Sequence, residues 1–270
     1  MNNGIDYCYH SHTWRCGHAS GTDEEYVLSA IKNGYRILGF SDHVMLPGAS
    51  QPGIRGDYYL FQGYVDSVRE LQIRYKDRLV IYLGFEAEWY GDLYRDYYSG
   101  LLKSGKIDYL ILGQHCYLED GHFRWYASGN DKVASLKHYV HDLIDGMRTG
   151  LFTYVAHPDH FMSWYGSWDE NALKAAEAIA EASKELNVPL EVNMGPSRWG
   201  RRNKDGDEID VAYPCPEFWD VVGRVGSLSI IGVDDHDPSE LGNSPFEWVI
   251  SFVEKHNLNY ISRVQIPTRG

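Results

Sequence analysis

A chain of 270 residues with 43% hydrophobic content is long enough to bury one large core, and an α/β barrel reaches this length as a single domain, so one domain spanning 1–270 is expected. A formal net charge of −13 argues against a broad basic face for nucleic acid, and no run of about 20 apolar residues is present to span a membrane. Cys8, Cys16, Cys116 and Cys215 make no CxxC pair and the first six residues lack a basic-then-apolar leader pattern, so a cytoplasmic protein is expected.

Seven strand-then-helix units follow one another. Ile5–His10 reads as the first strand, and Thr22-Asp23-Glu24-Glu25 as a capping box that opens a helix carrying Val27, Leu28 and Ile31. The pattern predicts strands at Ile37–Ser41 and Leu79–Phe85, each before a helix, at about Asp57–Tyr75 and Leu93–Lys103. Tyr109–Gly113 is the fourth strand. Cys116–Tyr126, with Asp120-Gly121 at its middle, reads as a hairpin before a helix over Val133–Arg148. Thr153–Ala156 is the fifth strand, Asn171–Leu186 an Ala- and Glu-rich helix, and Leu190–Asn193 the sixth strand. A polar loop from Gly195 to Ala212 carries Arg198, Arg201, Arg202 and Lys204. Pro216–Val225 is the next helix, Leu228–Val233 the seventh strand, and Pro245–His256 the last helix. Such alternation predicts parallel strands joined by right-handed crossovers, closed as a barrel in preference to an open doubly wound sheet.

Six of the seven predicted strands run into His, Asp or Glu: His10 and His12, Asp42 and His43, Glu86 and Glu88, His115, His157, then Asp234 and His236. His10 and His12, two apart on an extended strand, face one side, and His18 follows in a turn-like stretch. In an α/β barrel the strand C-termini meet on one face, where active sites lie. A lone histidine of this kind reads as a satisfied core or surface residue. So many imidazoles and carboxylates at one spot read as metal ligands, because crowded carboxylates repel and buried unpaired ones are costly. His122, His138, His141 and His256 fall in helices or the hairpin and keep the ordinary reading; His160 stays open. No phosphate-loop spacing, dinucleotide fingerprint or GxSxG elbow is present, and Cys16 is a weak candidate nucleophile beside His18.

The segments His10-Ser11-His12-Thr13, Arg15-Cys16-Gly17-His18-Ala19, Gly39-Phe40-Ser41-Asp42-His43, Gly84-Phe85-Glu86, Gly113-Gln114-His115, Ala156-His157-Pro158-Asp159 and Gly232-Val233-Asp234-Asp235-His236 resemble the polymerase and histidinol phosphatase (PHP) family. The opening is most similar to its branch acting on histidinol phosphate. The resemblance implies a distorted seven-stranded (βα)7 barrel holding three divalent ions, which zinc, iron or manganese would suit. Carried over by position, His10, His12, Glu86 and Asp234 would hold one ion, Glu86 with His115 and His157 a second, and His18, His43 and His236 a third. Glu88 lies on the same strand face and stays an alternative to Glu86. The implied activity is a phosphoric monoester hydrolase in histidine biosynthesis, using a metal-bridging water and no protein nucleophile. An unrelated small phosphate monoester or diester is the alternative substrate. Arg198 is implied as the phosphate-pairing residue, with Arg201 or Arg202 as substitutes, and Asp42 as a residue that orients an imidazole.

Overall fold

The computed structural model describes residues 4–198, 201–202 and 209–266, the side chains of 201–202 and 209–210 excepted. In chain order the elements are β1 (Tyr7–Cys8), α1 (Asp23–Lys32), β2 (Ile37–Phe40), α2 (Phe61–Tyr75), β3 (Val80–Ala87), α3 (Arg95–Lys103), β4 (Tyr109–Leu112), β5 (Cys116–Glu119), β6 (His122–Trp125) and α4 (Lys132–Arg148). There follow α5 (Met162–Tyr165), α6 (Glu170–Leu186), β7 (Leu190–Asn193), β8 (Arg201–Arg202), β9 (Ile209–Asp210), α7 (Pro216–Val225), β10 (Leu228–Gly232), α8 (Glu240–Asn243), α9 (Phe246–Lys255) and β11 (Asn259–Tyr260).

The sheet is parallel and curled. β1 pairs with β2, β2 with β3 and β3 with β4, while β7, β10 and β11 form a second parallel set. Single parallel bridges from Leu112 to Val155 and from Val155 to Leu190 join the two sets, and another ties Ser11 to Asp235. The expected fifth strand is reduced to these contacts of Val155, and the expected first strand to Tyr7–Cys8. Strands buried on both faces read as continuous apolar runs, which is why Tyr109–Leu112 was visible in the sequence and is wholly buried. No described helix is long and apolar enough to cross a membrane.

Local chemistry sets the helix starts. Thr22 Oγ1 accepts Glu25 N at 3.3 Å and Glu25 Oε2 accepts Thr22 N at 2.6 Å, so the capping box at α1 forms as its spacing predicts. Asp131 and Asp169 cap α4 and α6 in the same manner. The small face of α6, with Ala172, Ala175, Ala176 and Ala180, is buried. Two one-turn helices, α5 and α8, follow the His157 and Asp234 turns and are too short to leave a periodic signal. The β5–β6 hairpin turns at Asp120 (φ 50°) and Gly121 (φ 75°), the paired positive angles for which an Asp-Gly dipeptide is suited.

Tyr109 plugs the sheet interior. Its hydroxyl donates to Tyr9 O at 2.7 Å and its ring crosses Gly84, where a Cβ would lie 2.5 Å from Cε1 and 2.6 Å from Tyr109 O. Gly84→Ala should therefore destabilise the fold by about 1–3 kcal/mol through overpacking. Gly63 in α2 has open space around it, so Gly63→Ala should leave stability unchanged or raise it by up to ~1 kcal/mol. Chemical denaturation of both variants checks the pair.

Candidate metal centre

Glu86 lies near the C-terminal end of β3 and is buried. Its two oxygens serve two sides. Oε1 is 2.7 Å from His157 Nε2 and 3.6 Å from His115 Nε2. Oε2 is 3.1 Å from His43 Nδ1, 3.5 Å from His12 Nε2 and 3.6 Å from His10 Nε2. Room for this carboxylate comes from Gly113, where a Cβ would sit 1.9 Å from Oε1. Across the cluster, Asp234 Oδ1 is 3.1 Å from His12 Nε2 and 3.5 Å from both His10 Nε2 and His236 Nδ1. His157 and Asp234 hold left-handed backbone angles, φ 29° and 55°. Side-chain-bearing residues rarely adopt such angles, and they gather at functional sites.

Charge in the cluster is self-compensating. Burial raises the Glu86 carboxyl, but His115, His43, His10 and His157 outweigh it and hold the group well below its ordinary value. Burial likewise opposes ionisation of Asp234, and His10 and His12 overcome it. Burial also works against charge on His10, yet Glu191, Asp234 and Glu86 lift that imidazole well above its usual range. For His12 burial again opposes the charge, and the carboxylates of Asp234 and Asp42 raise it to about 9. Burial instead pushes His236 down to about 3.

The donor set fits divalent cations. Glu86 Oε2, Asp234 Oδ1, His12 Nδ1 and His43 Nδ1 are buried without a hydrogen-bond partner. Buried polar atoms are normally partnered, so these four mark a place where a cation belongs. Donor atoms lie within 4.8 Å of one another in the groups His10, His12, Asp234; His10, Glu86, His157; His43, Glu86, His115; and His12, His43, His236. Imidazole nitrogens mixed with carboxylate oxygens suit first-row divalent ions.

Among the described residues, these groups contain eight of the nine side chains expected as ligands. The ninth, His18, is exposed at the rim, its ring 4.9 Å from that of His236 and 5.4 Å from that of His43. The choice between Glu86 and Glu88 is visible in the geometry: Glu86 faces the imidazoles, while Glu88 stands behind His115. Glu88 Oε1 is 3.2 Å from His115 Nδ1, and its Oε2 accepts Arg55 Nη2 at 2.7 Å. His160, left open by the sequence, enters the cavity with its ring 5.4 Å from His157. Cys16 is a poor nucleophile, because burial raises its thiol to about 12.

Arg198 does not line the cavity. Its Nη1 donates to Val233 O at 2.5 Å, its Nη2 to Asp234 O at 2.6 Å, and its Nε lies 3.2 Å from Glu240 Oε1. The guanidinium thus grips the backbone that aims Asp234. Asp42 comes no nearer than 3.8 Å to an imidazole, at His12 Nδ1, and instead accepts from His43 N at 2.8 Å and from the Thr13 hydroxyl. The Arg201 side chain, Arg202's side chain and Lys204 lie outside the described residues.

Glu191 was missed by sequence reading. It is fully buried in β7, with Oε1 2.9 Å and Oε2 3.1 Å from His10 Nδ1, and it also accepts His157 N at 3.0 Å. Its carboxylate holds His10 with Nε2 turned to the cluster, as carboxylates behind metal-binding imidazoles do. The available signal was an acid inside the apolar run Leu190-Glu191-Val192. His138 and His141 pair with Asp142 and His256 with Asp220, away from the cluster.

A curled parallel sheet whose strand ends crowd imidazoles around shared carboxylates defines a metal-binding α/β protein. The PHP domain model matches residues 9–195, more than half of the chain, and the chain belongs to that family. A probable histidinol-phosphatase of Deinococcus radiodurans is 26% identical over 238 residues, which cover 86% of this chain and 87% of the relative. A probable phosphatase of Aliivibrio fischeri is 24% identical over 254 residues, covering 92% and 84%. In fold, the histidinol phosphate phosphatase of Lactococcus lactis, solved with zinc, L-histidinol and phosphate, superposes with a TM-score of 0.69 at 15% identity, covering 97% of this chain and 99% of its own. The putative histidinol phosphatase of Listeria monocytogenes superposes with a TM-score of 0.68 at 17% identity, covering 87% and 97%.

Glu86→Gln should abolish retention of metal. Glu191→Gln should weaken metal affinity about 10–100-fold while the fold persists. Competition against a chromogenic chelator measures both, and an unchanged affinity for Glu191→Gln would remove it from the support of His10.

Proposed function

We propose that the chain is a metal-dependent phosphomonoesterase that hydrolyses L-histidinol phosphate to L-histidinol and phosphate. The observation that carries this reading is the pair of orphaned buried oxygens, Glu86 Oε2 and Asp234 Oδ1, set among imidazoles at the end of a parallel sheet. Bound divalent ions would supply a water of near-neutral pKa as nucleophile and positive charge for the phosphoryl oxygens. We place three ions there, of zinc, iron or manganese: one on His10, His12, Glu86 and Asp234, one on Glu86, His115 and His157, one on His18, His43 and His236. In support, each set draws on side chains that share the cavity floor.

This chain's residues hold those donors in place. Glu191 and Glu88 sit on the Nδ1 side of His10 and His115 and so leave Nε2 of each turned toward the centre. Arg198 steadies the Asp234 turn through two backbone carbonyls. Arg201 is assigned to phosphate pairing in the same proposal. A cavity of about 300 Å³ sits at the small end for ligand sites and suits a small phosphorylated metabolite. The Deinococcus relative's name and the zinc, L-histidinol and phosphate of the Lactococcus structure support the substrate. The whole reads as one domain whose strands, linked through Val155 and the Ser11–Asp235 bridge, make a distorted seven-stranded barrel. Four buried, unpaired cysteines suit a cytoplasmic setting.

Phosphate release from a panel of small esters tests the reading. L-histidinol phosphate should be the best substrate, chelation should abolish turnover, and zinc or manganese should restore it. Equal turnover of an unrelated ester would sink the substrate; no release from any ester by metal-loaded protein would sink the phosphatase.

A further inference from the structure

The floor of the cavity is ionic, but its rim is not. The β5–β6 hairpin leaves the sheet directly after His115 and ends on Trp125, a residue that lines the cavity although it is 45% exposed. The hairpin register sets Trp125 opposite Cys116, the residue that follows His115. Its base is tied to the cavity floor. Gln114, next to His115, donates Nε2 to Tyr126 Oη at 2.9 Å and to Trp89 O at 3.1 Å, and accepts Trp89 N at 2.8 Å. Tyr126 in turn donates to Asp142 of α4 at 2.5 Å. An exposed indole in a mobile loop would mean little, since single surface aromatics are common. This one is anchored through its neighbour to a residue adjoining the cluster.

Two further segments reach the same mouth. Ile54, from the loop before α2, is half-buried there. Tyr213, from the stretch before α7, lines it too, its ring 5.3 Å from and edge-on to His160. With a phosphoryl group drawn to the cations of the floor, the alcohol of a phosphate monoester must extend toward this rim. Flat aromatic faces favour flat unsaturated rings by offset stacking and by attraction of cations to the ring face.

We propose that Trp125, with Tyr213 and Ile54 around the mouth, is the subsite for the leaving alcohol and selects phosphate monoesters whose alcohol bears a flat unsaturated ring. The proposal rests on the phosphomonoesterase reading, which sets the phosphoryl end at the floor. Trp125 acts on selection and not on the reacting atoms.

The test uses the metal-loaded full chain and calorimetric binding of two product alcohols, L-histidinol and L-valinol. Both are amino alcohols and only the first has a ring. Wild type should prefer L-histidinol. Trp125→Ala should weaken L-histidinol binding about tenfold, or ~1.4 kcal/mol, and leave L-valinol unchanged. Trp125→Phe should keep most of the affinity, and Trp125→Leu, apolar but without a π face, should lose it, so the answer does not depend on one variant folding. Equal loss for both alcohols, no loss for either, or a wild type with no preference would overturn the subsite. Phosphate release from the two corresponding monoesters is followed in parallel. A wild type that releases none from either fails the phosphatase reading, while the binding series still decides the rim.

Discussion

One carboxylate buried among five imidazoles is the constraint around which the site is arranged. Glu86 faces His157 and His115 with one oxygen and His43, His12 and His10 with the other. A buried carboxylate without partners would cost several kcal/mol and would take up a proton. Here the imidazoles hold it well below its ordinary value, and the carboxylates in turn raise His10 and His12. A divalent ion would take over that compensation from the protons, which is the sense in which binding of metal and loss of protons are one event. The glycine at 113 follows from the same demand, because any side chain there would occupy the space of Glu86 Oε1.

Behind the cluster stands a second layer of buried acids. Glu191 supports His10, and Glu88 supports His115 while itself gripped by buried Arg55. Gly232 repeats the logic of Gly113: a Cβ there would lie 1.8 Å from Glu191 Oε1. The two glycines, each two positions before a cluster residue, therefore clear space for acids on neighbouring strands. Arg198 completes the frame from outside by holding the carbonyls of residues 233 and 234.

The ligand-type residues were legible because each follows an apolar run that can only be a buried strand, and parallel strands deliver their ends to one face. The His10 and His12 pair, Glu86, His115, His157 and Asp234 could all be read that way. Glu191 could not, because periodicity places a residue on a strand and says nothing about which neighbour its carboxylate meets. The backbone contacts of Arg198 were equally hidden: a loop arginine near a strand end reads as available to a phosphate, and only the coordinates show two carbonyls within its reach. The 153–156 strand was overcalled, since apolar composition fixes burial and not the number of ladder bonds made.

The bridge between Ser11 and Asp235 has a bearing on how the molecule comes to exist. His12 N donates to Asp235 O at 2.8 Å, so two segments far apart in the sequence are neighbours in the finished fold. Glu86, His115 and His157 emerge from the ribosome long before Asp234 does. Throughout that interval His10 and His12 lack the acid that sits 3.1 Å from His12 Nε2. Synthesis proceeds at about 5–20 residues per second, so the nascent sheet waits several seconds with the cluster half assembled. The donors around Glu86 are thus complete only once Asp234 has been made and folded back onto His12.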